Sequence, residues 1–504
     1  MTLLSRRSWP QAGPPRTVRA VHLGLGAFHR SHQAWYTEHA ADAEPWGIAA
    51  FTGRSPGTAD QLRAQDGLYT LVERGPERDG IEVVTSISAA HDGDDAEAWA
   101  EYFASQQVAL VTLTVTEAGY HLDGAGHLDL RHPEIAADIE RLRGRGAGTD
   151  TGRGARPDPE AGRRARSDLE AGRRARSDPE AAPRALALSA SPVRTMPGRL
   201  VAGLAARRRS EGGPITIVPC DNLMGNGDAT RTVVLEMCQA VDDALADWIL
   251  ASVSFASTVV DRITPAPTAD DRVSAERATG HEDRCAVVAE PFSEWVLSGD
   301  FPAGRPAWES AGARFVGDVG PFALRKLCLL NGGHSLLAYA GSALGHTTVA
   351  SAISDPRCRA WLAGWWDDVT PLLGLPGDEV ASYRTALLER WSNRRIGHTL
   401  NLIARDGSQK LVQRVVPVVH RCRDAGEPAP PGAGRILGAW LAHLRGSGAE
   451  ISDPRAAELV PLAHGALRPA ARAVLDALDP GLGSDAAFVR QVAAACREIE
   501  AIAS

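Results

Sequence analysis

An α/β first half followed by a mainly α-helical second half is the fold class this sequence predicts, and three observations predict it. A short apolar run, Val18 to Leu23, ends in Gly24-Leu-Gly26 and leads into a helical stretch, Ala34 to Ala40. Val108 to Val115 is an almost unbroken apolar and β-branched run, the pattern of a parallel strand covered on both faces. From Arg357 onward the chain turns to Ala- and Leu-rich helical stretches joined by Gly, Pro and Asp.

The chain has 504 residues, too many for one ordinary core, so two domains of roughly 200 to 300 residues are expected. The division is placed at 17–312 and 313–504. Hydrophobic residues at 44% and charged residues at 23% fit a soluble globular protein, and a net charge of -8 argues against nucleic-acid and acidic-membrane partners. The seven cysteines are scattered without a Cys-x-x-Cys pair, which points to reduced thiols. Residues 1–19 lack the apolar core of a secretory signal, and no apolar run reaches the length of a membrane span. A cytoplasmic protein is expected.

In chain order, the first strand and its turn have the layout a dinucleotide pyrophosphate needs. Gly24 permits the tight turn, Gly26 lets the backbone approach, and the following helix offers N–H groups. Ala27 and Phe28 line the same turn, and Arg30 offers a phosphate contact. The usual third glycine is absent, His29 standing there, so the turn alone also suits any strand-to-helix connection. Trp46 to Phe51 reads as a second strand, ending in Thr52-Gly-Arg54. No acidic residue occupies 51–57 to accept a ribose 2′-hydroxyl, while Arg54 suits a 2′-phosphate, so NAD is the default cofactor with NADP open. Gln65 to Gly75 and Ile81 to Ile87 read as two strands around a polar turn. The Val108–Val115 strand delivers Thr116 and Glu117 to its carboxyl end, where open α/β sheets place ligands.

From about 145 to 185 the composition changes. Glu160 to Leu169 is repeated almost unchanged at Glu170 to Pro179, and nine Arg face six acidic residues between Thr151 and Ala185. Such a segment lacks the apolar surface to offset its ordering entropy and is expected to be a disordered surface insert. Beyond it, Pro214 to Cys220 reads as a strand running into Asp221-Asn222, and Ser254 to Val260 as another leading to Asp261. These polar groups at strand ends either hold a substrate oxygen or form Asx turns.

The stretch Lys326 to Ser335 carries the most chemistry. On an α-helix at 100° per residue, His334 lies about 80° and Asn331 about 140° round from Lys326, so the three share a broad face. Leu327, Leu329, Leu330, Leu336 and Leu337 would anchor that helix in a core. Taken alone the stretch reads first as a buried helix with a snorkelling lysine and hydrogen-bonded Asn and His. Farther on, Arg357 to Leu373, Ala381 to Arg390, Gly397 to Ala404, Gly434 to Leu444, Leu459 to Leu478 and Ala486 to Ala503 read as helices.

The ordered motifs Gly-Leu-Gly-Ala-Phe-His-Arg-x-His-Gln (24–33), Gln-Asp-Gly-Leu-Tyr (65–69), Thr-x-Thr-Glu-x-Gly-Tyr (114–120), Cys-Asp-Asn-Leu-x-x-Asn-Gly (220–227), Val-Asp-Arg-Ile-Thr-Pro (260–265) and Lys-x-x-x-x-Asn-x-x-His (326–334) resemble the long-chain mannitol dehydrogenase family. The resemblance implies a metal-independent, NAD(P)-dependent secondary-alcohol dehydrogenase with an N-terminal Rossmann-type dinucleotide-binding domain and a mainly α-helical C-terminal domain. It implies Lys326 as general acid/base, Asn222 and Asn331 as holders of the substrate oxygen, and His334 as an orienting group. A lysine base working near neutrality needs its pKa lowered by roughly 3 units, on the order of 4 kcal/mol, which burial can supply.

Three departures from the family pattern stand out. Ala323 replaces a Glu that relays protons, leaving Asp261, Glu117 or water for that task; Cys328 and Trp391 replace an Arg and a Phe. His398, Arg405 and Lys410 are expected over the far end of the substrate, where Arg405 and Lys410 suit a carboxylate. The substrate pair expected is D-mannonate/D-fructuronate ahead of D-mannitol/D-fructose or another polyol, with a weakly active nucleotide-binding regulator as the competing reading. The oligomeric state is not legible.

Overall fold

The computed structural model describes residues 1–53, 55–146 and 192–503. Arg54 and the tandem repeat at 160–179 lie outside them. Twelve strands run in chain order: β1 (Val18–Leu23), β2 (Gly47–Phe51), β3 (Tyr69–Arg74), β4 (Asp79–Val84), β5 (Ile87–His91), β6 (Leu110–Leu113), β7 (Ile215–Pro219), β8 (Val253–Phe255), β9 (Ser257–Asp261), β10 (Val287–Ala289), β11 (Glu294–Ser298) and β12 (Arg314–Phe315).

Six of them form one sheet in the order β5-β2-β1-β6-β7-β8, every pairing parallel. Strands β2, β6 and β7 are buried along their whole length, as parallel strands covered by helices on both faces must be. The order runs outward from β1 in one direction and from β6 in the other. A crevice therefore opens between the carboxyl ends of those two strands. This is the expected α/β first half.

Two stretches that read as single strands are each divided between sheets. Ile81 to Ile87 breaks at Thr85 and Ser86: β4 pairs antiparallel with β3, and β5 crosses to the edge of the main sheet. The break is fixed by polar contacts, Thr85 N–H donating to the Glu38 carboxylate (2.8 Å) and Ser86 Oγ to the Ala34 carbonyl (2.8 Å). Likewise Ser254 to Val260 breaks at Ala256, β8 closing the main sheet and β9 pairing with β11. Gly299 makes this bend possible by its approach, since a Cβ there would stand 2.8 Å from the Ala256 Cα.

The second half is helical and holds one large core running from Leu324 to Ile499. Its axis is the helix Pro431–Leu444, packed against Ala486–Ala503 through Gly438, where a Cβ would stand 2.5 Å from the Ala495 Cβ. Helices Gly407–Arg414 and Val416–Asp424 were not among those expected. The expected Leu459–Leu478 helix is two, Ala456–Ala463 and Leu467–Leu478, parted by Gly465 at φ 93°. All seven cysteines are buried and unpaired. Among the described residues no helix is long and apolar enough to cross a membrane.

Candidate active site

Three strands bring their carboxyl ends to the crevice, and each ends in polar residues. After β1 the chain turns at Gly24, whose φ is 110°; a Cβ there would lie 2.2 Å from the Thr114 carbonyl oxygen, so only glycine fits. Gly26 then caps the short helix Ala27–Ser31, whose first N–H groups have no partner within the helix. Ala27 and Phe28 are half-buried at this turn, Phe28 stacking on His32 at 5.0 Å. Beneath the turn, His22 bonds Thr112 Oγ1 (2.8 Å) and Thr114 Oγ1 (3.1 Å) and stacks on His29 at 3.4 Å. Burial pushes the His22 imidazole down to about 3, so this support is uncharged.

Arg30 does not serve the turn as expected. Its Nε donates to the Gly26 carbonyl (3.1 Å) and its Nη1 to that of Cys285, so the buried guanidinium holds backbone together instead of facing a phosphate. Thr116 and Glu117 follow β6 and are exposed on the crevice wall, Glu117 receiving a bond from Gln413 of the helical half (3.4 Å). After β7, Asp221 is buried against the Tyr120 hydroxyl, and burial raises its carboxyl to about 6. Its neighbour Asn222 points to the open side.

The helical half answers with Lys326. Its Nζ donates to Asn222 Oδ1 at 2.6 Å, bridging the two halves. Desolvation lowers the Lys326 pKa, opposed by the nearby Asp261 and Glu294 carboxylates. The helix carrying it is not uniformly α. Gly320–Arg325 is α-helical, but Lys326–Gly332 and Leu337–Gly341 widen to i→i+5 hydrogen bonding. A wider turn winds less per residue, so Asn331, five residues on, stands closer in angle to Lys326 than the about 140° of an α-helix.

Neighbouring tryptophans hold the widened turn. Trp365 Nε1 donates to the Cys328 carbonyl (2.8 Å) and Trp366 Nε1 to that of Leu329 (3.0 Å). Gly332 admits the Trp365 indole, which a Cβ would meet at 2.8 Å. Arg414 Nη1 donates to the Asn331 carbonyl (3.3 Å) and to Ser335 Oγ (3.2 Å). Four of the expected anchoring leucines are in the core, whereas Leu327 is only half-buried.

His334 lies between Trp391 (4.9 Å) and His398 (5.1 Å), with a buried Nε2 that has no partner among the described residues. Desolvation, then His398 and the cations Arg414, Arg390 and Lys410, hold its pKa well below the ordinary value, so it is neutral. His398 is thus brought to the site. Lys410 is half-buried and donates to the Ile403 carbonyl (3.1 Å), while Arg405 is exposed.

Asp261, the last residue of β9, is buried, and both of its oxygens are engaged. Arg390 grips it through Nη1 (2.6 Å) and Nη2 (3.0 Å), and the Tyr383 hydroxyl adds 3.2 Å. The same guanidinium binds Glu290 through Nε (2.9 Å) and Nη2 (2.7 Å). Burial would raise the Asp261 carboxyl, but Arg390 outweighs it and holds the group below the usual range. Arg390, Arg414 and Glu294 were missed as site residues. Arg414 lies on Gly407–Arg414, a helix not among those expected, and Arg390 gives no local signal because both its carboxylates are at least 100 residues away.

The arrangement fits a dinucleotide at the Gly24 turn and an alcohol or ketone oxygen at Lys326. Residues 18–310 match the mannitol dehydrogenase Rossmann domain and 318–500 the mannitol dehydrogenase C-terminal domain. The D-mannonate oxidoreductase of Escherichia coli (strain K12) is 34% identical over 471 residues, 90% of this chain and 86% of that protein. A substrate-free D-sorbitol dehydrogenase superposes with a TM-score of 0.79 at 27% identity, covering 98% of this chain and 95% of that one. The Pseudomonas fluorescens mannitol 2-dehydrogenase, in ternary complex with NAD and D-mannitol, superposes with a TM-score of 0.75 at 29% identity, covering 99% and 96%. With both halves matched and their order kept, the chain belongs to the mannitol dehydrogenase family.

Proposed function

We propose that this oxidoreductase interconverts a secondary alcohol of a sugar acid and its ketone, with NAD(H) as hydride carrier and Lys326 as the general acid/base. The observation that carries the reading is the 2.6 Å bond from Lys326 Nζ to Asn222 Oδ1 across the crevice. It accounts for both partners. A lysine lowered by desolvation reaches its neutral form more readily and can take the hydroxyl proton. With Asn222 Oδ1 turned to the lysine, the amide nitrogen is left to donate to the substrate oxygen, and Asn331 supplies a second amide, so developing alkoxide charge meets neutral donors. NAD accepts the hydride when bound, at the crevice that the Gly24 turn opens.

In the oxidation direction Lys326 must start neutral, so turnover rises with pH through its lowered pKa. Reduction needs the ammonium form and falls over the same range. Asp261 is a poor acceptor for the released proton, because Arg390 and Tyr383 hold it ionised and bonded. Its part is to favour the ammonium form of Lys326 through its charge.

For the substrate, D-mannonate/D-fructuronate is favoured by the cations around His334, namely Arg414 and Lys410, which suit a carboxylate. D-mannitol/D-fructose is the second reading, supported by the fold of the mannitol 2-dehydrogenase complex. Purified protein assayed with NADH and NADPH against D-fructuronate and D-fructose separates them. Lys326→Ala should lower kcat by about 10²- to 10⁴-fold while NADH still binds. Undiminished turnover in that variant refutes the assignment.

A further inference from the structure

Outside the catalytic crevice, the loop between β6 and the helix Pro133–Gly146 brings together two imidazoles and a carboxylate that the reaction does not use. We propose that His121, His132 and Glu134 bind a divalent transition cation of the zinc class. One ligand atom from each lies within 4.8 Å of the others, and His121 Nε2 stands 3.8 Å from Glu134 Oε2. In a tetrahedral zinc site, bonds of about 2.0–2.2 Å put ligand atoms roughly 3.3–3.5 Å apart. Closing up needs about 1 Å, and the exposed Glu134 carboxylate can move that far.

The backbone builds this cluster. His121 sits in the left-handed region at φ 52°, where a non-glycine residue is uncommon, and its carbonyl accepts the Asp129 N–H (2.8 Å). His132 N–H in turn donates to the Asp129 carbonyl (3.0 Å), which folds the loop so that the two rings meet edge to face at 4.4 Å. The His121 side chain is 8% exposed, so one arm of the site is fixed before a metal arrives. Two imidazoles and one carboxylate suit zinc and its neighbours; calcium and magnesium prefer oxygen ligands throughout.

Two terms oppose binding. The cation lies at the positive end of a helix, an effect of about 0.3–1 kcal/mol that Glu134 in the first turn offsets. The Glu134 N–H bond to His132 Nδ1 (3.3 Å) is lost whichever ring nitrogen binds, because that Nδ1 then carries either the metal or the proton. At this length the bond is weak. His127 is not a further ligand, being held by Glu236 at 2.6 Å.

The site would stiffen the wall of the crevice. Tyr120, next to His121, is bonded to Asp221, and Asp221 adjoins Asn222, the partner of Lys326. The test is metal binding itself, read independently of activity. Chelator-stripped full-length protein is titrated with Zn²⁺ by calorimetry, and with Co²⁺ by its visible tetrahedral bands. One equivalent is expected, weakened at least about 10-fold by His132→Gln and by His121→Asn, a residue that tolerates the left-handed backbone, and unaffected by Lys326→Ala or His346→Gln. Absence of binding, or an affinity unchanged in His132→Gln and His121→Asn, overturns the proposal.

Discussion

Asp221 shows how a single buried side chain carries a pH signature. Burial raises its carboxyl from 3.8 to about 6 although Tyr120 donates to it. A raised folded-state pKa means that the stabilisation is complete below the unfolded value and is lost as pH rises through the folded one. The change between roughly pH 4 and 6 is on the order of 3 kcal/mol. Asp221→Asn is therefore expected to remove that part of the slope in thermal unfolding measured from pH 4 to 7. An identical slope in the variant would show that Asp221 does not titrate there. Asp221 was legible in the sequence as a strand-end polar residue. Its burial was not, because burial depends on Tyr120, about a hundred residues earlier.

Among elements, the Lys326 helix departs most from what its sequence suggests. Leucine spacing gave the helix and its buried face, but hydrophobic periodicity cannot distinguish an i→i+4 from an i→i+5 turn over seven residues. The widening is set by Trp365 and Trp366, which bond the Cys328 and Leu329 carbonyls from another helix, and by the room Gly332 leaves for an indole. Gly332→Ala should push the Trp365 ring away, costing about 1–3 kcal/mol of stability, and should lower kcat more than it raises KM by shifting Asn331 against Lys326. Unchanged kcat in a folded variant would sever the widened turn from catalysis. The same limit applies to the divided strands: alternation reads straight through Thr85 and Ala256, where contacts with Glu38 and Gly299 bend the chain.

Across the whole molecule, Arg390 joins the halves. It extends from the helix Gly377–Ser392 and is buried between Asp261, at the end of β9, and Glu290, just past β10. Removing one partner of a buried ionic group strands the others, at about 3–5 kcal/mol. Arg390→Met should therefore lower Tm by several degrees at pH 7. It should recover part of the loss near pH 5, where the stranded carboxyls protonate. Thermal unfolding at both pH values checks this, and an unaltered Tm at pH 7 would contradict a joining role.

By itself the sequence determined the α/β half, the helical half and the glycine turn, and it singled out Lys326, Asn331, His334 and Asn222 as candidates, because hydrophobic periodicity and spaced motifs are local properties of a chain. It pointed to Arg30 for a phosphate, and only the tertiary structure turned that guanidinium inward to the Gly26 and Cys285 carbonyls. Tertiary structure also decided the widened helix, the Lys326–Asn222 bond and the Arg390 junction. Each joins residues on different elements, and the burial and hydrogen-bond energy that fixes them exists only after those elements have packed.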